Sequence, residues 1–235
     1  LSVFMLFRMD AQTPVIVKNI TAGAASSSFQ ELKPFSNHLI FSVNDGVNGY
    51  ELWISDGTTL GTKMVLDVNP AVGVNGFGGF RYGDNNVAFF IGNDGVTGNE
   101  LWKSDGTAAG TVLVKDINSG LNSGSGAYES MVKLGSQYIF TANEPLTGDE
   151  LYVTDGTAAN TSILKNINPG SNSSYPNELL VFGNKVIFRA STDLTGRELW
   201  ITDGTTVGTF ELKDIYTGTS NGGPTYFTVL NGEVF

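Results

Sequence analysis

The stretch Glu51–Thr62, ELWISDGTTLGT, recurs three times further along the chain. The later copies are ELWKSDGTAAGT from Glu100, ELYVTDGTAANT from Glu150 and ELWITDGTTVGT from Glu198. The copies begin 49, 50 and 48 residues apart, and a fixed period of this length indicates a repeat architecture. Each copy therefore predicts one structural unit of about 49 residues.

The sequence on both sides of each motif copy predicts four short strands per unit, A to D. In the fourth unit these are Glu178–Phe182, Lys185–Ala190, Glu198–Thr202 and Phe210–Ile215. Strands A and B are joined by Gly183-Asn184, a residue pair that favours a tight hairpin. The DGTxxGT segment joins C to D, where aspartate and glycine favour an Asx-type turn. The unit is thus predicted to be an antiparallel meander.

Four antiparallel strands repeated every 40–50 residues predict an all-β fold, a β-propeller of four-stranded blades. A β-solenoid has a much shorter rung, and immunoglobulin-like domains need about 100 residues each. The propeller domain is predicted over residues 13–235, with blade repeats at about 28–69, 77–117, 128–167 and 177–215 and a partial one at 224–235. The segment Val15–Ile20 resembles a strand D without its A, B and C, and we expect it to close the last blade. This predicts at least five blades in the intact ring, with the sequence ending inside a blade.

Composition narrows the classes of function. The 235 residues include 30 glycines, only 15% charged residues and a net charge of −10, a balance that disfavours nucleic acid and anionic membranes as partners. Cysteine is absent and His38 is the one histidine, so disulfides, zinc–cysteine sites and histidine-rich metal sites are excluded. The glycine excess is typical of tight turns copied once per repeat.

The first residues predict export. Leu1–Phe7 is apolar and is followed by Ala11-Gln12, a pattern typical of the end of a signal peptide and its cleavage site. Residues 1–12 are therefore predicted to be a signal-peptide remnant, and the chain a secreted or cell-surface protein. The alternatives are an apolar strand or a sequence start chosen upstream of the true one.

The motif copies resemble the ELWxxDGT repeat of bacterial exported proteins, and the flanking segments VLVKDINSG and ILKNINPG match it too. The third copy departs from the pattern, with Tyr152 in place of tryptophan and Asn160 in place of glycine. The resemblance implies a propeller-forming repeat in secreted or surface proteins. It implies no activity, because the family is defined by its repeat.

The motif side chains are predicted to be structural. A general acid and a general base need different environments, so carboxylates repeated in register point to the fold rather than to catalysis. The glutamates are expected to bind neighbouring backbone or the strand-D lysines Lys115, Lys165 and Lys213. The structural set is Glu51, Trp53, Asp56, Glu100, Trp102, Asp105, Glu150, Tyr152, Asp155, Glu198, Trp200 and Asp203.

Calcium is the one cofactor worth weighing. Asn44-Asp45-Gly46 and Asn93-Asp94-Gly95 faintly resemble calcium loops, but calcium takes six to eight oxygens and each loop offers one aspartate and one asparagine. The pattern decays to Glu144-Pro145 and Thr192-Asp193. Turn chemistry is the favoured explanation, and no cofactor or metal is predicted.

Four aromatic residues near the starts of the A strands are the candidate ligand-binding residues: Phe77, Tyr128, Tyr175 and Tyr226. They follow loops rich in glycine, serine and asparagine. Such rings can stack on sugar faces while the amides and hydroxyls bind sugar hydroxyls. The alternative is that they pack between blades.

Two classes of function remain. The first is a non-catalytic scaffold or binding module for an extracellular protein or glycan. The second is a glycoside hydrolase or lyase that uses two carboxylates, for which the non-repeated candidates are Asp84, Glu129, Asp149, Glu178 and Asp193. A Ser–His hydrolase would depend on His38 alone, because it is the one histidine of the chain.

Overall fold

The computed structural model describes residues 5–6, 15–21, 27–84, 86–125, 130–223 and 225–235. All regular secondary structure in these described residues is β-strand, and they contain no helix. The chain divides into two compact units, Leu1–Leu113 and Val114–Phe235. The protein is thus all-β, as predicted.

The described strands form four four-stranded antiparallel sheets, each with its strands in sequence order. These are the predicted blades of a β-propeller. Blade 1 consists of β3 (Ser28–Phe35), β4 (His38–Asn44), β5 (Tyr50–Ser55) and β6 (Lys63–Leu66). Blade 2 consists of β7 (Phe77–Gly83), β8 (Ala88–Asn93), β9 (Asn99–Ser104) and β10 (Val112–Lys115). Blade 3 consists of β11 (Met131–Leu134), β12 (Gln137–Glu144), β13 (Gly148–Thr154) and β14 (Ser162–Lys165). Blade 4 consists of β15 (Asn177–Phe182), β16 (Lys185–Thr192), β17 (Gly196–Thr202) and β18 (Phe210–Lys213).

The D strands are shorter than the sequence predicts. We expected the fourth to reach Ile215, but it ends at Lys213. The reason is that the backbone N–H of Ile215 donates to the side chain of Glu198 over 2.8 Å and not to a neighbouring strand. The first and third D strands end at Leu66 and Lys165, and the N–H groups of Val68 and Ile167 that follow them also donate to motif glutamates.

Neighbouring blades pack through apolar faces inside each unit. In the second unit, Ile139 and Leu151 of blade 3 share one buried cluster with Val186, Phe188 and Trp200 of blade 4. An equivalent cluster joins blades 1 and 2 in the first unit. A blade that is covered on both faces needs strands that are apolar on both faces, which explains the continuous apolar runs of the sequence.

The N-terminal segment lies where a preceding strand D would lie. Val17 packs with Phe41 and Trp53 of blade 1, and the Nζ of Lys18 donates to the carbonyl oxygen of Thr62 over 2.6 Å. Strand D of blade 3 makes the same bond to blade 4, from Lys165 to the carbonyl of Thr209 over 2.8 Å. This part of the expectation for residues 15–20 agrees with the structure, although the strand itself is only β2 (Val15–Ile16). That the segment closes the last blade remains a prediction.

Two short hairpins flank the blades. The first joins β1 (Met5–Leu6) to β2, with Met5 opposite Ile16. This register matches strands C and D of blade 3, where Tyr152 lies opposite Ile163. This pairing does not test whether residues 1–12 are a signal-peptide remnant, which remains a prediction. The second hairpin joins β19 (Val229–Leu230) to β20 (Glu233–Val234), within the partial repeat predicted at 224–235.

Candidate functional site

The motif glutamates lie buried on the C strands and bind backbone. Glu51 accepts hydrogen bonds from the N–H groups of Val68 over 3.0 Å and Gly76 over 2.7 Å. Glu198 accepts from Ile215 and Gly222 in the same way, both over 2.8 Å. Glu51 and Glu198 therefore each hold the loop that follows strand D against their own blade.

Glu150 of blade 3 accepts four hydrogen bonds. It accepts from the N–H groups of Ile167 over 2.8 Å, Asn168 over 3.3 Å and Ser174 over 3.2 Å. The hydroxyl of Ser174 adds a 2.6 Å bond to the same carboxylate. The glutamates were expected to bind either neighbouring backbone or the strand-D lysines. Glu51, Glu150 and Glu198 bind backbone N–H groups. The lysines Lys115 and Lys165 instead donate to the carbonyl oxygens of Thr161 and Thr209.

Burial alters the acidity of two of these carboxyls. Removal from water raises the pKa of Glu51 to about 7, against the bonds from Val68 and Gly76, which lower it. It also raises the pKa of Glu150 to about 7, where the bonds from Ser174 and Ile167 oppose it. A perturbed pKa is common at catalytic sites, but here the same burial recurs with the repeat, which favours a structural cause.

The DGT aspartates fold their own loops. Oδ1 of Asp105 accepts from the N–H of Thr107 over 2.9 Å and from its hydroxyl over 2.7 Å. The other three copies repeat this pair of bonds. These hydrogen bonds to the threonine hydroxyl and N–H hold the pKa of each aspartate below its usual value: Asp56, Asp105, Asp155 and Asp203.

A buried hydroxyl pair closes each of these loops, and the sequence reasoning missed it. Ser104 and Thr111 lie 2.7 Å apart, as do Thr202 and Thr209 in blade 4. The available signal was that a serine or threonine precedes every DGT, at Ser55, Ser104, Thr154 and Thr202.

The motif aromatics lie buried within the blades. Trp102 packs against Phe90 with 6.4 Å between ring centroids, and Tyr152 lies 5.7 Å from Phe140. Trp53 and Trp200 are buried at the equivalent positions. The indole Nε1 atoms of Trp53, Trp102 and Trp200 have no hydrogen-bond partner in the described part of the chain.

The loops weighed as calcium sites use their carboxylates inside the loop. Oδ1 of Asp45 accepts from the N–H groups of Val47 over 2.9 Å and Asn48 over 2.8 Å. Asp94 accepts from Val96 and Thr97 at nearly the same distances. Although partial burial alone would raise them, these bonds hold the pKa values of both aspartates below the usual value. Across the described residues no group of three or more histidines, aspartates or glutamates is placed to hold a metal ion.

The four candidate aromatics do not share one environment. Phe77 is 3% exposed and stacks on Phe90 in the core of blades 1 and 2, so its burial contradicts a ligand-binding role and fits the packing alternative. Tyr226 is 85% exposed, and Tyr175 is also exposed. Both tyrosines have a left-handed backbone, with φ of 62° and 50°. Tyr128 lies outside the described residues.

Three of the non-repeated carboxylates bind loop donors. Asp84 accepts from the N–H groups of Asn86 and Val87 in its own turn. Asp149 is buried and accepts from the hydroxyl of Ser173 over 3.2 Å. The third, Asp193, receives the side-chain amides of Asn168 and Asn172, over 3.2 and 2.8 Å.

Glu178 is bound at both carboxylate oxygens. Its Oε1 lies 3.7 Å from a guanidinium nitrogen of Arg189, and its Oε2 accepts from the N–H of Tyr226 over 3.0 Å. Glu129 lies outside the described residues. No pair of these carboxylates is thus shown facing a common space.

A cavity of about 510 Å³ in the first unit contains the one histidine. His38 lines it together with Phe35, Asp56, Lys63 and Asp105. Both aspartates belong to DGT loops and are engaged by threonines. Of the described non-repeated carboxylates weighed for catalysis, none lines this cavity.

The loops between strands B and C present a feature that the sequence reasoning overlooked. Each carries one aliphatic side chain at the same repeat position, and these four side chains are 59% to 81% exposed: Val47, Val96, Leu146 and Leu194. Each follows an acidic residue by one or two positions: Asp45, Asp94, Glu144 and Asp193. The spacing of the aliphatics follows the motif and could have revealed them.

In the ranges that the structure describes, no helix has the length and apolar character to span a bilayer.

Comparison with known proteins supports the fold only. No protein-family model and no curated protein matches the chain. Among solved structures it is similar to a Mycobacterium tuberculosis puromycin-hydrolyzing peptidase, with 16% identity and a TM-score of 0.50 over 87% of this chain and 30% of that one. It is also similar to the computationally designed Ika8 protein, with 12% identity and a TM-score of 0.47 over 93% of this chain and 57% of that one. A further likeness is to oligopeptidase B from Leishmania major, with 13% identity and a TM-score of 0.42 over 88% of this chain and 37% of that one.

The chain spans less than two thirds of the length of each of these structures. The likeness to the mycobacterial peptidase supports the propeller fold and says nothing about activity.

Proposed function

We propose that the chain is a non-catalytic module of the bacterial ELWxxDGT-repeat type, exported from the cell, which binds an extracellular protein or glycan. The observation that carries the proposal is the use of the carboxylates. Motif glutamates bind backbone N–H groups, motif aspartates cap their own loops, and the described non-repeated carboxylates bind loop or strand donors.

This use of carboxylates disfavours the glycosidase alternative. Glycoside hydrolysis needs two carboxyl groups about 5–10 Å apart on either side of one bond, one of them able to give a proton. The non-repeated Asp149 and Asp193 instead serve as acceptors for Ser173, Asn168 and Asn172.

Export is supported by the apolar start of the sequence and by the four in-register motif copies that resemble exported proteins. The glycan option is supported by the exposed rings of Tyr175 and Tyr226, which follow loops rich in serine and asparagine. An exposed tyrosine with polar neighbours is suited to stacking on a sugar while the neighbours bind its hydroxyls.

The test combines binding with cleavage. The 235-residue chain and an Asp149→Asn, Glu178→Gln, Asp193→Asn variant are incubated with a panel of soluble polysaccharides, and released reducing ends and unsaturated uronic acids are measured. We expect no product from either protein. Product formed by the wild-type chain and lost in the variant would establish the hydrolase or lyase instead.

The glycan option is tested separately on a glycan array. Binding that is lost in a Tyr175→Ala, Tyr226→Ala variant and kept in a Tyr216→Ala variant supports it, since Tyr216 is exposed as well. Equal binding by both variants would show that Tyr175 and Tyr226 do not bind the glycan.

A further inference from the structure

The loops after strands B and D form one surface in each blade. Strands alternate in direction, so these two connections leave the sheet at the same end. In blade 1 the N–H of Gly73 donates to the carbonyl of Val47 over 2.8 Å, and the N–H of Tyr50 donates to the side chain of Asn75. In blade 4 the N–H of Arg197 bonds Asn221 in the same way, over 2.9 Å. We call this surface of a blade its loop face.

The loops of the loop faces carry acidic residues and no lysine or arginine, and Arg197, whose N–H donates to Asn221, borders the loop face of blade 4. The loops comprise residues 45–49, 67–76, 94–98, 116–125, 144–148, 166–176, 193–196 and 214–223. All 13 lysines and arginines of the chain fall outside these ranges, whereas seven acidic residues fall inside them: Asp45, Asp67, Asp94, Asp116, Glu144, Asp193 and Asp214. The net charge of −10 is therefore concentrated toward this end of the blades.

Each loop face also presents an apolar side chain in a fixed position. The Asx turn of Asp45 holds Val47 outward, because the carboxylate binds the N–H of Val47 itself. Asp94 holds Val96 in the same manner, and Thr192 receives the N–H of Leu194. Single exposed aliphatics are ordinary on a protein surface, but one at the same place in every blade is a pattern. A side chain that is ordered before binding loses less entropy on binding.

We propose that the loop faces bind a cationic protein, whose lysines and arginines meet the carboxylates while its apolar side chains cover the exposed valines and leucines. This inference rests on the proposed binding function and names the partner class. Carboxylates at the loop faces attract such a partner over long range and repel anionic ones. A second copy of this chain is disfavoured, because two loop faces would bring carboxylates against carboxylates.

The test uses a labelled synthetic peptide of alternating lysine and leucine, titrated with the full 235-residue chain and followed by fluorescence anisotropy. Peptides with glutamate in place of lysine, or serine in place of leucine, are the matched probes. We expect binding of the lysine–leucine peptide that weakens with added salt, and at least about tenfold weaker binding of either matched peptide.

Two variants locate the site. A Val47→Ser, Val96→Ser, Leu146→Ser, Leu194→Ser variant removes the apolar tips, and we expect its affinity to fall by about tenfold or more. A Leu60→Ser, Val207→Ser variant is the control, because these side chains are 91% and 92% exposed in the C–D loops at the opposite end of the blades. All six positions are exposed, so both variants are expected to keep the wild-type melting temperature.

Absence of binding to the lysine–leucine peptide, equal binding of the glutamate–leucine peptide, or equal losses in the two variants would each overturn the inference. A specific glycan hit on the array together with any of these results would leave the binding function standing without this partner. Polysaccharide cleavage would overturn the function itself.

Discussion

The hydroxyl of Ser174 donates a 2.6 Å hydrogen bond to the carboxylate of Glu150, and both residues are fully buried. The bond joins strand C of blade 3 to the loop that leads into blade 4. Backbone amides of Gly76 and Gly222 occupy the equivalent place beside Glu51 and Glu198. In blades 1, 3 and 4 the motif glutamate therefore connects the blade to the chain that follows it.

The buried glutamates predict that stability falls as the pH rises through their titration. Their ordinary pKa is 4.5, whereas burial raises the pKa of Glu51 and Glu150 to about 7 in the folded protein. Between pH 4.5 and 7 the unfolded chain holds fewer protons than the folded one, so unfolding becomes more favourable with rising pH. We expect a lower melting temperature at pH 8 than at pH 5, and a weaker dependence in Glu150→Gln. An unchanged dependence in that variant would contradict the assignment.

The DGT aspartates predict that stability also falls when the pH is lowered into the acidic range. Hydrogen bonds from Thr107 hold the pKa of Asp105 below its ordinary value of 3.8, so its contribution to stability is present above that pH and is lost as the pH falls. The same sign applies to Asp56, Asp155 and Asp203. Calorimetry from pH 2 upward should show a loss below about pH 4 that is smaller in Asp105→Asn.

Replacing Trp102 by alanine should cost roughly 3–5 kcal/mol of unfolding free energy, because the ring is buried between blades 1 and 2. Trp102→Phe should cost less than half as much, since it keeps the contact with Phe90 and removes an indole N–H that has no acceptor among the described residues. Urea denaturation measures both. A loss below about 1 kcal/mol for the alanine variant would place the ring at the surface.

The third motif copy shows how a departure from the pattern is accommodated. A Cβ on Gly110 would lie 2.1 Å from the carboxylate of Asp105, whereas Asn160, at this position in blade 3, donates a 2.6 Å bond to Asp155. Gly110→Ala is expected to cost about 1–3 kcal/mol by overpacking, and Gly110→Asn less because it restores a bond. Equal losses in thermal denaturation would show that the amide does not compensate.

The lysine at the end of strand D predicts a contact between successive blades. Nζ of Lys165 donates to the carbonyl of Thr209, so Lys165→Met should cost about 1 kcal/mol or more. Lys213→Met is the matched control, because Lys213 has the same repeat position and is exposed. If both variants lose the same stability, the bond to Thr209 makes no contribution.

The period of the motif and its turn residues predicted the strands because both are local features of the sequence. Gly183 has the left-handed backbone, with φ of 62°, that its predicted hairpin requires. Partners across the fold were harder to predict, since Lys165 and Glu150 have opposite charges and yet bind backbone. Phe77 and Tyr226 both precede or begin an A strand, but only contacts within the core determine that the first is buried. Exposure of Val47 likewise depends on a turn geometry that periodicity does not contain.

Hydrogen exchange at the amides beside Glu150 tests most directly whether the motif carboxylates stabilise the blades. In Glu150→Gln one of the two acceptor oxygens becomes an NH2 group. Ile167 donates to Oε2 and Ser174 to Oε1, so the N–H group of one of these two residues should exchange faster than in the wild-type chain. The amides of Ile215 and Gly222, which bind Glu198, should keep their rates. Unchanged exchange at Ile167 and Ser174 in a folded Glu150→Gln variant would contradict the structural role assigned to the motif.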